Sequence, residues 1–547
     1  MYKHFIFILI IFIFNILGNA KNPSNTQRPK LVVGIVVDQM RWDYLYRYKD
    51  RYTKDGFLRL INSGFNCEQT FIPYTPTVTA AGHASIYTGS VPAINGITGN
   101  NFYEYNTKQS LYCTQDDSVL TVGANNNNGK MSPKNMLTTT IGDELQLAQN
   151  FKGKVIGISI KDRGAILPAG HSATAAYWYD NKTGNFISST YYMQALPDWV
   201  NAFNSLKKAD DYYNKGWTTL FPANTYTNSD TDMNSYESAP FGSEQVGLPY
   251  SFTSILEKKN YGALRVTPYG NSITFDFARE TIIKEKLGKS NITDMLAVSF
   301  SSTDYIGHTF GPNSVEMEDT YLRFDKELSD FISFLDQQIG KNNYTLFLTA
   351  DHGAAHIPAY LKTKKIPAGG LALSKVEKQM NEHLRTKFAV DSLVLAIENY
   401  QVFFDKEKLK QHAITLNDVM QDAVDFLIQY DEIDRVLDYT EIAEETLPDV
   451  MKSMFTNGYY PNRCGQLLLV LKPSFIDDEY GSKGTTHGLW NPYDAHIPLL
   501  FYGKNIQKGK STEKVFMTDI APTICTLLHI QMPNGCIGNV IEGVEKK

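Results

Sequence analysis

Five apolar runs rich in aliphatic and β-branched residues punctuate the chain, at positions 31–37, 155–160, 295–300, 344–349 and 497–502. They are apolar at nearly every position rather than every second one, the pattern of strands covered on both faces of a parallel sheet. Between them, apolar residues recur three and four apart, the period of a helix. The clearest such segment opens at Asn313, where Asn313 and Glu316 have the spacing of a capping box. Met317, Tyr321, Phe324, Leu328, Phe331 and Leu335 then form one stripe. Strands alternating with helices predict an α/β fold, a three-layer sandwich with a central, mostly parallel sheet.

Two stretches break the alternation. Residues 185–280 are rich in Tyr, Asn, Ser and Asp and read as loops and short elements decorating the sheet. Residues 361–480 carry helical and strand patterns of their own, at 416–430 and 466–471, and read as an inserted cap domain. The catalytic core then comprises residues 21–360 and 481–547. The first twenty residues stand apart: Lys3 and His4 precede an apolar run from position 5 to position 17, followed by Gly18, Asn19 and Ala20. That is the layout of a cleavable secretory signal, and the run is shorter than the roughly 20 residues a membrane span needs. No cysteine near Ala20 offers a lipoprotein anchor. The mature protein is therefore expected in the periplasm or outside the cell, off the membrane.

Composition narrows the partners. A formal net charge of −6 over 547 residues lacks the basic field that nucleic-acid binding needs. The five cysteines, Cys67, Cys113, Cys464, Cys525 and Cys536, match no zinc-ribbon spacing, and their odd number leaves at least one thiol unpaired in the chain. Cys525 and Cys536 are the expected local disulfide in an oxidising compartment.

The chemistry lies in where acids and histidines fall relative to the strands. Ligands of open α/β sheets gather at the carboxyl ends of strands. Asp38 follows the first run directly; Asp304 and His308 lie just past the third, and Asp351 and His352 just past the fourth. His487 sits in Gly484-Thr485-Thr486-His487-Gly488, ahead of the last run. Singly, each would pass for a helix cap or a satisfied polar residue; together, three aspartates and three histidines converge on one sheet edge. Imidazole mixed with carboxylate suits zinc. Six such ligands suffice for two zinc ions with open positions, the arrangement used for in-line phosphoryl displacement. A nucleophile is available in Thr75-Pro76-Thr77-Val78-Thr79. Residues 80–88 read as a helix ended by Gly89, with Thr79 as its N-cap. A hydroxyl there feels the positive end of the helix dipole, and zinc would lower its pKa further.

These motifs resemble the alkaline phosphatase superfamily. The resemblance rests on Thr-Pro-Thr-x-Thr79, then Gly82-His83-x-Ser85-x-x-Thr88-Gly89, Pro92 and Gly96-Ile97-x-Gly99-Asn100. Asp304-x-x-Gly307-His308, Thr349-Ala350-Asp351-His352-Gly353 and Thr486-His487-Gly488 complete it. It spans three separated regions, residues 30–165, 290–357 and 483–530. It implies one zinc ion held by Asp38, Asp351 and His352 with Thr79 as nucleophile, and a second held by Asp304, His308 and His487. Asn100 and the pair Lys161 and Arg163, which follows the second run, are similar to the phosphate-binding set of the PafA-type alkaline phosphatases. That likeness implies phosphate monoesters as substrates, a phosphothreonine intermediate, and Lys161 in the place of a catalytic magnesium ion. A monomer is expected. The runner-up is a nucleotide pyrophosphatase/phosphodiesterase on the same scaffold. A secreted glycan- or surface-binding protein, suggested by 33 tyrosines and 30 phenylalanines, leaves the six ligands without a role.

Overall fold

The computed structural model describes residues 27–241, 247–478 and 483–546; the expected export signal, residues 1–20, lies outside them. Among the described residues an eleven-stranded sheet forms the centre. Its middle is made of β1 (Leu31–Val37), β2 (Val155–Ser159), β3 (Asp294–Phe300) and β4 (Tyr344–Thr349), each buried along its whole length. They lie side by side in the order β4-β1-β3-β2, all parallel. Val36 pairs with both Thr349 and Ser299, and Ser299 with Ser159, so the four carboxyl ends stop at nearly one level. The layered α/β architecture with a mostly parallel sheet is the one expected from the alternation of apolar runs.

The last run departs from that expectation. Pro498 divides it into His496–Ile497 and Leu499–Gly503, and the second piece pairs antiparallel with β4. Proline lacks the donor a continuous ladder requires. Continuous apolarity reports burial on both faces but says nothing about strand direction.

Other boundaries move for similar local reasons. The helix expected to start at Asn313 is α3 (Val315–Gln338), and its cap is Ser314, whose hydroxyl accepts the Met317 N–H. Asn313 lies one residue earlier and its Oδ1 instead pairs with His356 Nδ1 at 2.6 Å. Residues 185–280 are less loop-like than their composition suggests, since Tyr269–Lys284 is a 16-residue helix that buries Phe275 and Phe277. All five cysteines are free thiols, including Cys525 and Cys536. Sequence proximity does not supply the side-chain geometry a disulfide demands.

Val394–Glu398, Gln401–Phe404, Ile433–Asp438 and Leu467–Leu471 form a separate four-stranded sheet. It packs with helices Leu373–Phe388 and Leu416–Leu427 around its own apolar cluster, which includes Met380, Leu384, Val419 and Leu469. Buried Arg463 moors this unit to the core. Its Nε lies 2.8 Å from Glu104 Oε2, and its Nη1 donates to the carbonyls of Gly96 and Asn135, both at 2.7 Å. The loop that carries Asn100 runs between those anchor points.

Candidate active site

Helix α1 (Thr79–Thr88) is buried throughout and ends at Gly89, which adopts a left-handed φ of 65°. Its cap is Val78; Thr79 is the first helical residue and its hydroxyl caps nothing, which corrects the N-cap assignment. The difference matters, because a capping hydroxyl would be committed to its own backbone. The helix lies hard against the end of β4. A Cβ on Gly82 would meet the Asp351 carbonyl oxygen at 2.5 Å and Asp351 Cβ at 2.6 Å, so only glycine permits the approach.

The expected acids and histidines form two groups. Asp38, Asp351 and His352 have ligand atoms within 4.8 Å of one another, and so do Asp304, His308 and His487. Asp38 and Asp351 follow β1 and β4, whereas Asp304 and His308 sit one turn apart on α2 (Ser302–Phe310). The rings of His352 and His487 stack with centroids 3.5 Å apart, so the two groups share a wall. Thr79 Oγ1 lies at their junction, 3.4 Å from His352 Nε2 and 3.3 Å from Lys161 Nζ.

Each histidine is oriented by backbone. Nδ1 of His308 faces the Thr485 carbonyl at 2.8 Å, Nδ1 of His352 the Gly353 carbonyl at 2.9 Å, and Nδ1 of His487 the Thr77 carbonyl at 2.7 Å. A proton on each Nδ1 leaves Nε2 as the lone pair turned towards the carboxylates, as a backbone carbonyl orients a metal-bound imidazole. Burial takes His352 down to about 3 and also lowers His487, so both rings are neutral near pH 7. His308 moves upward because Asp304 outweighs its burial.

The carboxylates are unequal. Burial, with Asp304 and Asp351 nearby, raises Asp38 well above the usual carboxylate range. Burial also opposes ionisation of Asp304, but the Lys161 ammonium and His308 hold it well below that range. Asp351 is held low against its burial by His352 and His83. Lys161 Nζ sits 2.8 Å from Asp38 Oδ2 and 2.6 Å from Asp304 Oδ2, bridging the groups. Even so, Oδ1 of Asp38 and Oδ2 of Asp351 are buried and accept no hydrogen bond. Orphaned buried carboxylate oxygens beside neutral imidazole nitrogens are a donor set that fits zinc.

The residues expected to bind phosphate occupy different places. Asn100 Oδ1 accepts the Ala80 N–H at 3.0 Å, which fixes the side chain at the start of α1. Lys161 lies inside the cluster. Arg163 does not reach the carboxylates; its Nη1 donates to Tyr112 Oη at 2.9 Å, and Tyr112 in turn donates to Asp162 Oδ1 at 2.7 Å.

Three supporting residues escaped the sequence reading. Gln39, at a left-handed φ of 64°, donates its backbone N–H to Asp351 Oδ1 at 3.1 Å and its side-chain amide to Asp304 Oδ1 at 2.8 Å. His83 places Nδ1 2.8 Å from the Thr79 carbonyl and 3.3 Å from Asp351 Oδ2, while Nε2 meets Ser299 Oγ at 2.8 Å. The Tyr305 ring lies 4.9 Å from the Lys161 ammonium and 4.8 Å from the Arg265 guanidinium. His83 belonged to a motif already quoted, and Gln39 directly follows a ligand; what each touches depends on tertiary contacts.

The family model for type I phosphodiesterase/nucleotide pyrophosphatase matches residues 32–490. Alkaline phosphatase PhoV of Synechococcus elongatus is 50% identical over 96% of this chain and 94% of that protein. The crystal structure of alkaline phosphatase PafA superposes with a TM-score of 0.93 at 46% identity, covering 95% of this chain and 99% of the other. A Myroides odoratus protein described as a calcium-transporting ATPase is 50% identical over 97% of this chain and 96% of its own length. Among the described residues here, no helix is long and apolar enough to cross a membrane. The chain belongs to the type I phosphodiesterase/nucleotide pyrophosphatase family. Within that superfamily, its full-length relatives include alkaline phosphatases, matched in both sequence and fold.

Proposed function

We propose that this chain is an exported alkaline phosphatase that hydrolyses phosphate monoesters through Thr79. The observation that carries the reading is the placement of one uncapped, buried hydroxyl between two Asp/His groups, 3.3 Å from a buried ammonium. Asp38, Asp351 and His352 would hold one zinc ion, and Asp304, His308 and His487 a second. Bound there, the pair supplies Lewis acidity towards the attacking and departing oxygens.

The chain's own residues do the rest. Thr79 Oγ1, having lost its proton, forms a bond to phosphorus as the bond from phosphorus to the ester oxygen breaks; the departing alkoxide takes up a proton. Water then attacks the phosphothreonine, returning Thr79 and free phosphate. With its Oδ1 held by Ala80, Asn100 has its amide N–H groups left to donate to a non-bridging oxygen. Lys161 adds a fixed positive charge between the two groups, so no catalytic magnesium ion is required. Arg163, steadied by Tyr112, supplies a second charge to an oxygen that a diester would have esterified.

A cavity of about 490 Å³ opens beside His308, lined by Tyr305, Thr309, Pro358, Asp477 and Lys483 among others. Its mixed lining suits leaving alcohols of varied structure. Residues 361–480 act as a cap over this side, and the mature enzyme works as a monomer in the periplasm or outside the cell.

The family description also names phosphodiesterases, which supports a second reading in which diesters are preferred. Hydrolysis of a matched monoester and diester by purified protein, with zinc analysis, decides between them. A preference for the monoester with two zinc ions per chain supports the phosphatase; a diester preference hands the case to the phosphodiesterase.

A further inference from the structure

Apart from the two groups at the sheet edge, a third cluster brings together Asp232, Glu237 and Glu316, with one carboxylate oxygen from each within 4.8 Å of the others. It lies where the segment around residues 230–250 meets the first turn of α3. Glu237 and Glu316 are 1% and 0% exposed, and Oε2 of each is buried without any hydrogen-bond partner. The remaining oxygens have partners, and Asp232 Oδ1 accepts from the Met233 N–H at 3.1 Å. Glu316 Oε1 accepts from Tyr250 Oη at 2.8 Å, Asp232 Oδ2 from the Leu248 N–H at 3.1 Å, and Glu237 Oε1 lies 3.5 Å from Asn234 Nδ2.

Among the described residues, Glu237 meets only Asn234 and Glu316 only Tyr250 through their other oxygens, and neither is paired with a lysine or an arginine. A buried carboxylate left without a partner is costly unless a cation or a proton neutralises it. A protein that needed only packing here would place glutamine or an apolar side chain.

We infer that Asp232, Glu237 and Glu316 hold a calcium ion through the orphaned oxygens of the two glutamates. The donors are all oxygen, with no imidazole or thiolate, which selects a hard cation over zinc. Calcium accepts carboxylates in irregular arrangements and completes its shell of six to eight oxygens with carbonyls and water, whereas magnesium demands near-ideal octahedral geometry. The ion has structural reach. Ser238 donates its N–H to the Thr309 carbonyl at 3.1 Å, and the Tyr236 carbonyl accepts from the Gly484 N–H at 3.1 Å. His308 and the loop bearing His487 are neighbours of those two contacts, so the ion would pin the segment that backs one zinc group.

The test is calorimetric titration of the full-length, zinc-loaded protein with calcium chloride. One saturable calcium ion per chain is expected, with magnesium binding more weakly. Glu316→Gln should weaken calcium binding at least tenfold while leaving zinc content at its wild-type value. Asp232→Asn, at the more exposed ligand, serves the same purpose if Glu316→Gln does not fold. Calcium should also raise the melting temperature of the wild type and not of the folded variant. Absence of binding up to about 10 mM calcium, beyond the range of extracellular calcium modules, overturns the assignment. So does unchanged binding in a folded variant, tighter binding of magnesium, or calcium binding abolished by Asp304→Asn alone.

Discussion

Replacing Lys161 by alanine separates charge on the substrate from charge on the metals. Lys161 Nζ lies 2.8 Å from Asp38, 2.6 Å from Asp304 and 3.3 Å from Thr79 Oγ1, and is almost wholly buried. Removing a cation from among carboxylates makes the site more negative, so affinity for zinc should hold or rise. Loss of activity therefore cannot come from loss of metal. What disappears is a charge-assisted contact to the phosphoryl group, worth about 1.5–3 kcal/mol. At 1.36 kcal/mol per tenfold, kcat/KM for a monoester should fall about ten- to hundredfold. A diester carries one negative charge fewer, and its loss should be smaller, since the contact it loses is to a less charged oxygen. Arg163→Ala should repeat the pattern without touching the carboxylates. Tyr112→Phe should reproduce part of that effect by releasing the guanidinium. Lys161→Arg should not rescue, because a planar fork cannot replace a point charge in so confined a place. The assay is kcat/KM for a matched monoester and diester on each variant, with zinc measured on the same samples. Equal losses on the two substrates, or a fall in zinc content that tracks the lost activity, would refute the reasoning.

Thr79→Ala should abolish covalent turnover while retaining zinc, and Thr79→Ser should keep substantial activity; acid quenching followed by mass spectrometry should find phosphate on Thr79 and nowhere else. Purified enzyme should carry close to two zinc ions, lose activity to a chelator and regain it with zinc, and His308→Ala or Asp351→Asn should each remove most activity at saturating substrate. In metal-stripped protein, His352 is neutral when folded down to about 3 but titrates near its ordinary value once unfolded. The depressed folded value means that its stabilising contribution is complete above about pH 6.5 and is lost as pH falls towards 3. Denaturant unfolding from pH 8 to pH 4 should therefore show stability declining on the acid side, with a shallower decline in His352→Gln; a pH-independent curve would contradict the assignment.

Local chemistry determined a good deal of this protein. Unbroken apolar runs identified the central strands because a segment buried on both faces cannot carry polar positions. Asp38, Asp351 and the pair Asp304 and His308 were legible for the same reason, since each follows the end of such a run. Gly89 was legible because a helix needs a left-handed stop, whereas Thr79, read as the cap, is the first helical residue. The direction of the last strand was not legible, and neither was the break at Pro498: apolarity records burial, whereas direction depends on the path of the connection. Only the folded chain brought His352 and His487 into ring contact across 134 intervening positions and put Lys161 between Asp38 and Asp304. It separated Arg163 from that cluster and gave it to Tyr112, although the two basic residues are two apart in sequence. It also gathered Asp232 and Glu237, from a stretch read as loops, with Glu316, read as part of a capping box. Side-chain chemistry can be read one residue at a time, but electrostatic function depends on distance, and distance across separate segments is set by packing.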